Sequence, residues 1–287
     1  MSIKLGNLDV ESFKVGSGDC SIYLGTTLLY SGGTPPAPHD YSQDYLTFRA
    51  LEDGTFKFSS NSINYSLDSG VTWTELASDT DTPTVNSGDT ILWKASLTAG
   101  SNGIGTFSSS GRFEVEGNTM SLKYGDNFSG QTTFSDNYSL RNLFNGCSGV
   151  TNAENMVLPA TTLTNYCYNS MFYNCSNLTT APNLPATTLA NQCYQFMFYG
   201  CSSLTTAPTL LATTLVKRCY SRMFERCSNL SNITCLATDI SAQECTYRWV
   251  RSVQTSSGTF TKDSSMASWG GGENGIPNNW TVQDYSS

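Results

Sequence analysis

LPATTLTNYCYNSMFYNCSNLTTAP, residues 158–182, returns as LPATTLANQCYQFMFYGCSSLTTAP at 184–208 and as LLATTLVKRCYSRMFERCSNLSNI at 210–233. Cys167, Cys193 and Cys219 are 26 residues apart, and so are Cys175, Cys201 and Cys227. A worn copy precedes these, LRNLFNGCSGV at 140–150. Another follows, with Cys245 one period after Cys219 and Trp249 one period after Met223. A fixed period with a constant apolar skeleton predicts supersecondary units that bury their apolar faces only against their neighbours.

Within a copy the spacing shortens. Leu189, Cys193, Met197 and Cys201 fall every four residues, which predicts one face of a short helix. Thr187 or Thr188 is placed to cap its start, and Asn174 and Gly200 suit a left-handed helix end. Ser-Leu-Thr-Thr-Ala-Pro at 203–208 then reads as a short strand closed by Pro208, which has no N–H for a ladder. Helix, turn, strand and turn in one period make the recipe of a leucine-rich repeat.

The block CY..MF.GCSSLTTAP.LPATTL resembles the BspA-type leucine-rich repeats of Bacteroidales proteins and of the phages that infect them, over residues 138–250. The resemblance implies an α/β leucine-rich-repeat solenoid and a part in adhesion or binding at a surface, with no catalytic residues to carry over. The third copy departs from the pattern. Leu211 replaces a proline, and a basic run appears at Lys217, Arg218, Arg222 and Arg226.

Ahead of the repeats the chain reads as β. Ile3-Lys4-Leu5-Gly6, Phe13-Lys14-Val15-Gly16 and Ile22-Tyr23-Leu24-Gly25 are alternating words that end in glycine, so residues 1–32 are expected to form a small β attachment module. These words resemble segments near the start of phage tail, fibre and other virion proteins. Residues 33–44, with three prolines, read as a semi-rigid linker. From 45 to 130, Phe56/Phe58, Ile63/Tyr65/Leu67, Val71/Trp73, Ile91/Trp93 and Phe113/Val115 alternate between turns, which predicts a β-sandwich-like domain. Its words (YLTF.ALEDGTF, YSLD.G.TWT) resemble the domain that precedes such repeats. Residues 251–287 are polar and glycine-rich, with Trp269, Trp280 and Tyr285 as anchors, and are expected to cap the stack. The fold class expected is therefore multidomain: mainly β N-terminal modules, then an α/β leucine-rich-repeat solenoid with a C-terminal cap.

Composition narrows the function. Charged residues make up 13% and the net charge is −8, so the basic excess that attracts phosphate backbones is missing. No nucleic-acid partner is expected. No apolar run reaches the ~18 residues a membrane helix needs, so no membrane insertion is expected. MSIKLGNLDV lacks a basic and an apolar leader segment. That favours virion assembly in a host cytoplasm over secretion.

Ten cysteines raise three possibilities: disulfides, a metal site and buried thiols. Residues as far apart as Cys193 and Cys201 are ~12 Å apart along a helix, too far for a bridge. No CxxC pair accompanies His39, the one histidine. Two ladders of buried thiols are expected instead, Cys147/Cys175/Cys201/Cys227 and Cys167/Cys193/Cys219/Cys245. The acidic word Asp79-Thr80-Asp81 lacks a full calcium loop and reads as a solvated turn. No cofactor is expected. His39 in its linker offers no catalytic triad, and Glu225 is the one acid between 158 and 233.

A non-enzymatic structural or binding protein is the expected function, as a component of a bacteriophage tail, fibre or capsid surface. A bacterial cell-surface adhesin is the alternative, and a glycan-active enzyme the third reading. The N-terminal module would join other virion proteins, and a homo-oligomer is expected. The repeats would meet a host glycan or protein through positions that vary inside constant words. Gln192, Gln195 and Phe196 in the second copy, and Lys217, Arg218, Tyr220, Arg222 and Arg226 in the third, form this expected surface.

Overall fold

The computed structural model describes residues 39–253, 257–266 and 269–286, together with the backbone of five strands before residue 32. Two compact units divide the chain, Met1–Asp40 and Tyr41–Ser287.

In the first unit β1 (Ile3–Leu5) pairs antiparallel with β2 (Leu8–Val10). Strands β3 (Ser12–Val15), β4 (Cys20–Leu24) and β5 (Thr27–Ser31) form an antiparallel sheet in that order. The alternating words thus fall on strands. Side chains of these five strands, residues 33–38 of the linker and the attachment role expected of 1–32 lie outside the described residues.

The second unit opens with β6 (Leu46–Ala50), β7 (Phe56–Phe58), β8 (Ile63–Ser66), β9 (Thr74–Leu76), β10 (Thr90–Lys94), β11 (Phe107–Ser109) and β12 (Phe113–Asn118). A short helix, α1 (Ser121–Tyr124), follows, then β13 (Val150–Asn152) and β14 (Met156–Val157). The main sheet runs β13-β12-β6-β10-β8-β9, with β14 also on β12, while β11 and β7 pair separately. Alternation puts Phe48, Ile91, Trp93, Phe113 and Val115 on the buried face. Two expected positions fail: Leu67 is 47% and Val71 80% exposed. They belong to the turn that joins β8 to β9, where Asp68 binds the Ser66 and Thr72 hydroxyls at 2.7 and 2.6 Å.

The expected α/β leucine-rich-repeat solenoid does not form, and the leucine-rich-repeat assignment falls with it. The unit is mainly β, and α1, four residues long and outside the repeats, is the one α-helix among the described residues. No helix occupies the Cys-Tyr…Met-Phe words. Their N–H groups alternate between two acceptors. Those of Cys167, Asn169, Met171, Tyr173 and Cys175 donate to the carbonyl three residues back. Those of Tyr168, Ser170, Phe172 and Asn174 donate to Cys193, Gln195, Met197 and Tyr199 of the next copy, at 2.7–3.0 Å. An α-helix would send all of them four residues back in the same segment.

Left-handed backbone explains the spacing of four. Tyr166, Ser170 and Asn174 have φ of 59°, 57° and 57°, and Gln192, Phe196 and Gly200 have 58°, 59° and 73°. Arg218, Arg222 and Arg226 follow at 53°, 56° and 66°. Each is the third residue of a hydrogen-bonded turn (164–167, 168–171 and 172–175 in the first copy), where a type II turn requires positive φ. An L-residue there costs about 1–2 kcal/mol. Ladder hydrogen bonds and packed columns offset it. Thr187 and Thr188 cap nothing: both N–H groups donate to the Thr161 carbonyl.

Copy stacks on copy in parallel. Phe144–Phe172, Phe172–Phe198 and Phe198–Phe224 lie at centroid distances of 5.3, 5.6 and 5.7 Å, tilted by 9°, 5° and 2°. Such pairs add about 0.5–1.5 kcal/mol beyond their buried area. Tyr168, Tyr194 and Tyr220 make a second column, ended by Trp249. The nine described cysteines, all but Cys20, are unpaired and buried. Cys175, Cys201 and Cys227 thiols donate to the carbonyls of Phe144, Phe172 and Phe198 in the preceding copy, at 3.0–3.1 Å.

The three domains expected at 45–130, 138–250 and 251–287 share one core. Phe144 of the worn copy packs on Phe48 and Phe107, and β13 and β14 pair with β12. Lys123 and Asp136 form an ion pair at 2.6 Å across this junction, with side chains 3% and 16% exposed. At the other end β15 (Asn232–Cys235), β16 (Thr259–Lys262) and β17 (Thr281–Asp284) form a parallel sheet. Trp269 and Trp280 are buried there, Trp269 stacked on Trp249 at 5.5 Å. Tyr285, expected as a third anchor, is 42% exposed.

Candidate functional site

The turn run decides what the repeats present. Between its left-handed residues lie the Cys, Tyr, Met and Phe of the core. The left-handed residues themselves, and those three further on, form columns along the stack. One column is Tyr166, Gln192, Arg218 and Glu244, the next Ser170, Phe196, Arg222 and Arg248. Tyr173, Tyr199, Glu225 and Arg251 make a third, at the same 26-residue step.

Of the expected surface residues, Lys217 and Arg226 are exposed, and Gln192, Gln195, Phe196, Arg218 and Arg222 are half-buried on this face. Tyr220 is not there. It is 1% exposed in the core column, because the residue after each Cys of the CY word points inward. Asn169, Ser170 and Ser221, also variable, are buried as well. Sequence reading missed Tyr173, Tyr199, Glu225, Tyr247, Arg248 and Arg251. The signal was available: the residue after each Met-Phe pair changes from Tyr to Tyr to Glu at a constant period.

Neighbouring side chains on the face are tied together. The Gln192 amide donates to the Gln195 side-chain oxygen at 2.7 Å, and Asn169 donates to the same oxygen at 3.2 Å. Tyr173 and Tyr199 stack at 4.7 Å and 4°. Arg222 lies between two rings, its guanidinium carbon 5.5 Å from the Phe196 centroid and 5.6 Å from that of Tyr247. Arg226 stands 5.5 Å above Tyr199. Arg218 donates to Glu244, and that hydrogen bond raises the guanidinium pKa further above its ordinary value.

Glu225 anchors the cluster. Only 3% exposed, it lies 3.8 Å from Arg222 and 3.5 Å from Arg251. Arg222 meets it through Nε and Arg251 through a terminal guanidinium nitrogen, so one buried carboxylate holds both cations at the face. Arg226 has no carboxylate within ion-pair distance among the described residues.

The core thiols of the repeats offer no competing chemistry. Burial pushes Cys167 up to about 12 and Cys193 and Cys201 well above the ordinary thiol value, so these three present no thiolate nucleophile. Among the described residues no group of three or more His, Cys, Asp or Glu is placed to hold a metal ion, and no helix is long and apolar enough to cross a membrane. Asp81 of the acidic word 79–81 pairs with Lys57 at 3.5 Å and accepts from Thr55. What the arrangement can do is recognise a partner by forked hydrogen bonds and ring contacts from a pre-set surface. No protein-family model, curated protein or solved structure matches the chain.

Proposed function

We propose that this chain is a non-enzymatic binding and display protein, and that the turn face of its repeats is the surface offered to a partner. One observation carries the reading. Core columns keep their residues from copy to copy, while the face columns change from Tyr and Ser to Gln and Phe to Arg on the same hydrogen-bonded frame. That separation lets a surface diversify without touching the core. The two carboxylates nearest its centre, Glu225 and Glu244, are engaged by arginines, which argues against a glycosidase pair.

The partner would be a host-surface glycan or protein, and the setting a bacteriophage virion, as a tail, fibre or capsid-surface component. The resemblance of the IKLG, FKVG and IYLG words to virion proteins supports this setting. A separate N-terminal unit ending at Asp40 suits an attachment role to other virion proteins, with copies of the chain assembled together. Antibody labelling of intact particles and of host envelopes by electron microscopy tests the setting. Label on particles is expected. Label confined to the envelope would make the chain a cell-surface adhesin instead. A glycan array tests the activity class, read first for retention and then by mass spectrometry for shortened chains. Retention without cleavage is expected, and cleavage would overturn the non-enzymatic reading.

A further inference from the structure

We propose that the ligand of the turn face is an acidic polysaccharide, a polymer of carboxylated sugars, gripped chiefly by Arg222 and Arg226; this rests on the binding reading above. Charge comes first. Lys217, Arg218, Arg222, Arg226, Arg248 and Arg251 gather on the face of a chain whose net charge is −8. Three carboxylates, Glu225, Glu244 and Glu273, meet them there. Cations therefore outnumber anions locally, and a polyanion is the complementary partner.

Geometry selects a carboxylate-bearing sugar among polyanions. Arg222 is held between Phe196 and Tyr247 with its Nε toward Glu225, so its fork is ordered before a ligand arrives. Guanidinium planes match carboxylates with two parallel hydrogen bonds. Beside them the half-buried amides of Gln192 and Gln195 can exchange hydrogen bonds with sugar hydroxyls, while the buried Asn169 braces the Gln195 side-chain oxygen from beneath. The half-buried Phe196 supplies a ring next to Arg222, and the buried Tyr199 lies beneath Arg226 and orients it. A protein partner would call for an apolar centre that excludes water. Among the described residues the large apolar side chains that stand exposed are Leu51, Leu67, Val71, Leu211, Val282 and Tyr285, none of them in the face columns. The columns also repeat at each copy, and a polymer repeats its anionic group in the same manner.

The test is biolayer interferometry on the full chain with three immobilised probes: polygalacturonate, neutral dextran and poly-L-glutamate. Polygalacturonate should bind, dextran should not, and poly-L-glutamate should bind at least about tenfold more weakly. Raising salt from about 20 to about 200 mM should weaken polygalacturonate binding several-fold, since the Debye length falls from about 20 to about 7 Å. Arg222→Ser with Arg226→Asn should weaken it about tenfold or more at low salt. Serine and asparagine occupy the same columns at Ser170 and Asn174 with φ of 57°, so the backbone frame accepts them; Glu225 keeps Arg251, and circular dichroism with a cooperative melt verifies that the variant is folded, at a lowered melting temperature. Asn174→Arg, which adds a charge to the Arg226 column, should strengthen binding. Equal binding of poly-L-glutamate and polygalacturonate would overturn the sugar assignment in favour of an acidic protein. A double variant that is folded and binds polygalacturonate like the parent would overturn the role of the arginines. If polygalacturonate fails while the labelled chain still coats host cells, the ligand class falls and the binding reading stands. If both fail, both readings fall.

Discussion

Alanine and glycine exchanged at Gln192 distinguish a run of left-handed turns from the helix that its spacing imitates. Inside a helix alanine exceeds glycine by about 1 kcal/mol, since glycine has more backbone freedom to lose. At the Gln192 φ of 58° the order reverses. An alanine Cβ there meets the same steric cost of about 1–2 kcal/mol as glutamine, and glycine meets none. Glycine gives back about 0.5–1 kcal/mol through its freer unfolded chain. Glycine should therefore exceed alanine by roughly 0.5–1 kcal/mol, a difference of about 1.5–2 kcal/mol between the two backbones. Both variants lose the Gln192–Gln195 hydrogen bond, so the comparison cancels it. Thermal melting followed by circular dichroism reads the result, with about 2–4 °C expected per kcal/mol for a unit of this size. Arg226, at φ 66° and equivalent to Gly200, should repeat the order. Alanine more stable than glycine at both sites would refute the turn geometry.

Other consequences can be measured in parallel. The Tyr194 hydroxyl is buried without a hydrogen-bond partner, so Tyr194→Phe should raise stability by up to about 1 kcal/mol; a lowered melting temperature would mean the hydroxyl is engaged. Cys201→Ser keeps a donor for the Phe172 carbonyl, whereas serine at Cys193 has no such acceptor, so Cys193→Ser should cost about 1–3 kcal/mol and the more of the two. Alkylation of the nine buried thiols should be slow in the folded protein and complete on denaturation, and an intact disulfide among them by mass spectrometry would contradict the packing. Burial alone would push the Asp136 carboxyl up, but the Lys123 ammonium, the Ser139 hydroxyl and the Ala99 N–H together hold it below the ordinary value. Its contribution is therefore present above the unfolded carboxylate value of about 4 and lost as pH falls through the lower folded one. Asp136→Asn should remove that acid-side loss and cost about 3–5 kcal/mol at neutral pH by leaving Lys123 buried without its counter-ion.

Much of the site was legible because period and composition survive translation into structure. Constant Cys, Tyr, Met and Phe words marked the core columns, and variable positions marked most of the face. Tyr220 was misassigned because the face and core residues of a turn alternate on a pattern that a helical projection distorts. The Glu225–Arg251 and Arg222–Tyr247 contacts join residues 25 or 26 apart, and the side chains' reach across copies is not written in either copy alone.

By itself the sequence determined the 26-residue period, the constant words that fill the core and the alternating strands ahead of them, since each is a direct reading of where apolar side chains recur. Only the tertiary structure decided that a spacing of four meant successive left-handed turns. The cause lies in the backbone. A helix satisfies its N–H groups inside one segment, so its spacing can be judged from that segment. These turns leave every second N–H unsatisfied until the next copy supplies a carbonyl. Residues such as Tyr166, Phe196 and Arg222 carry no local preference for positive φ, and the neighbouring copy holds them there.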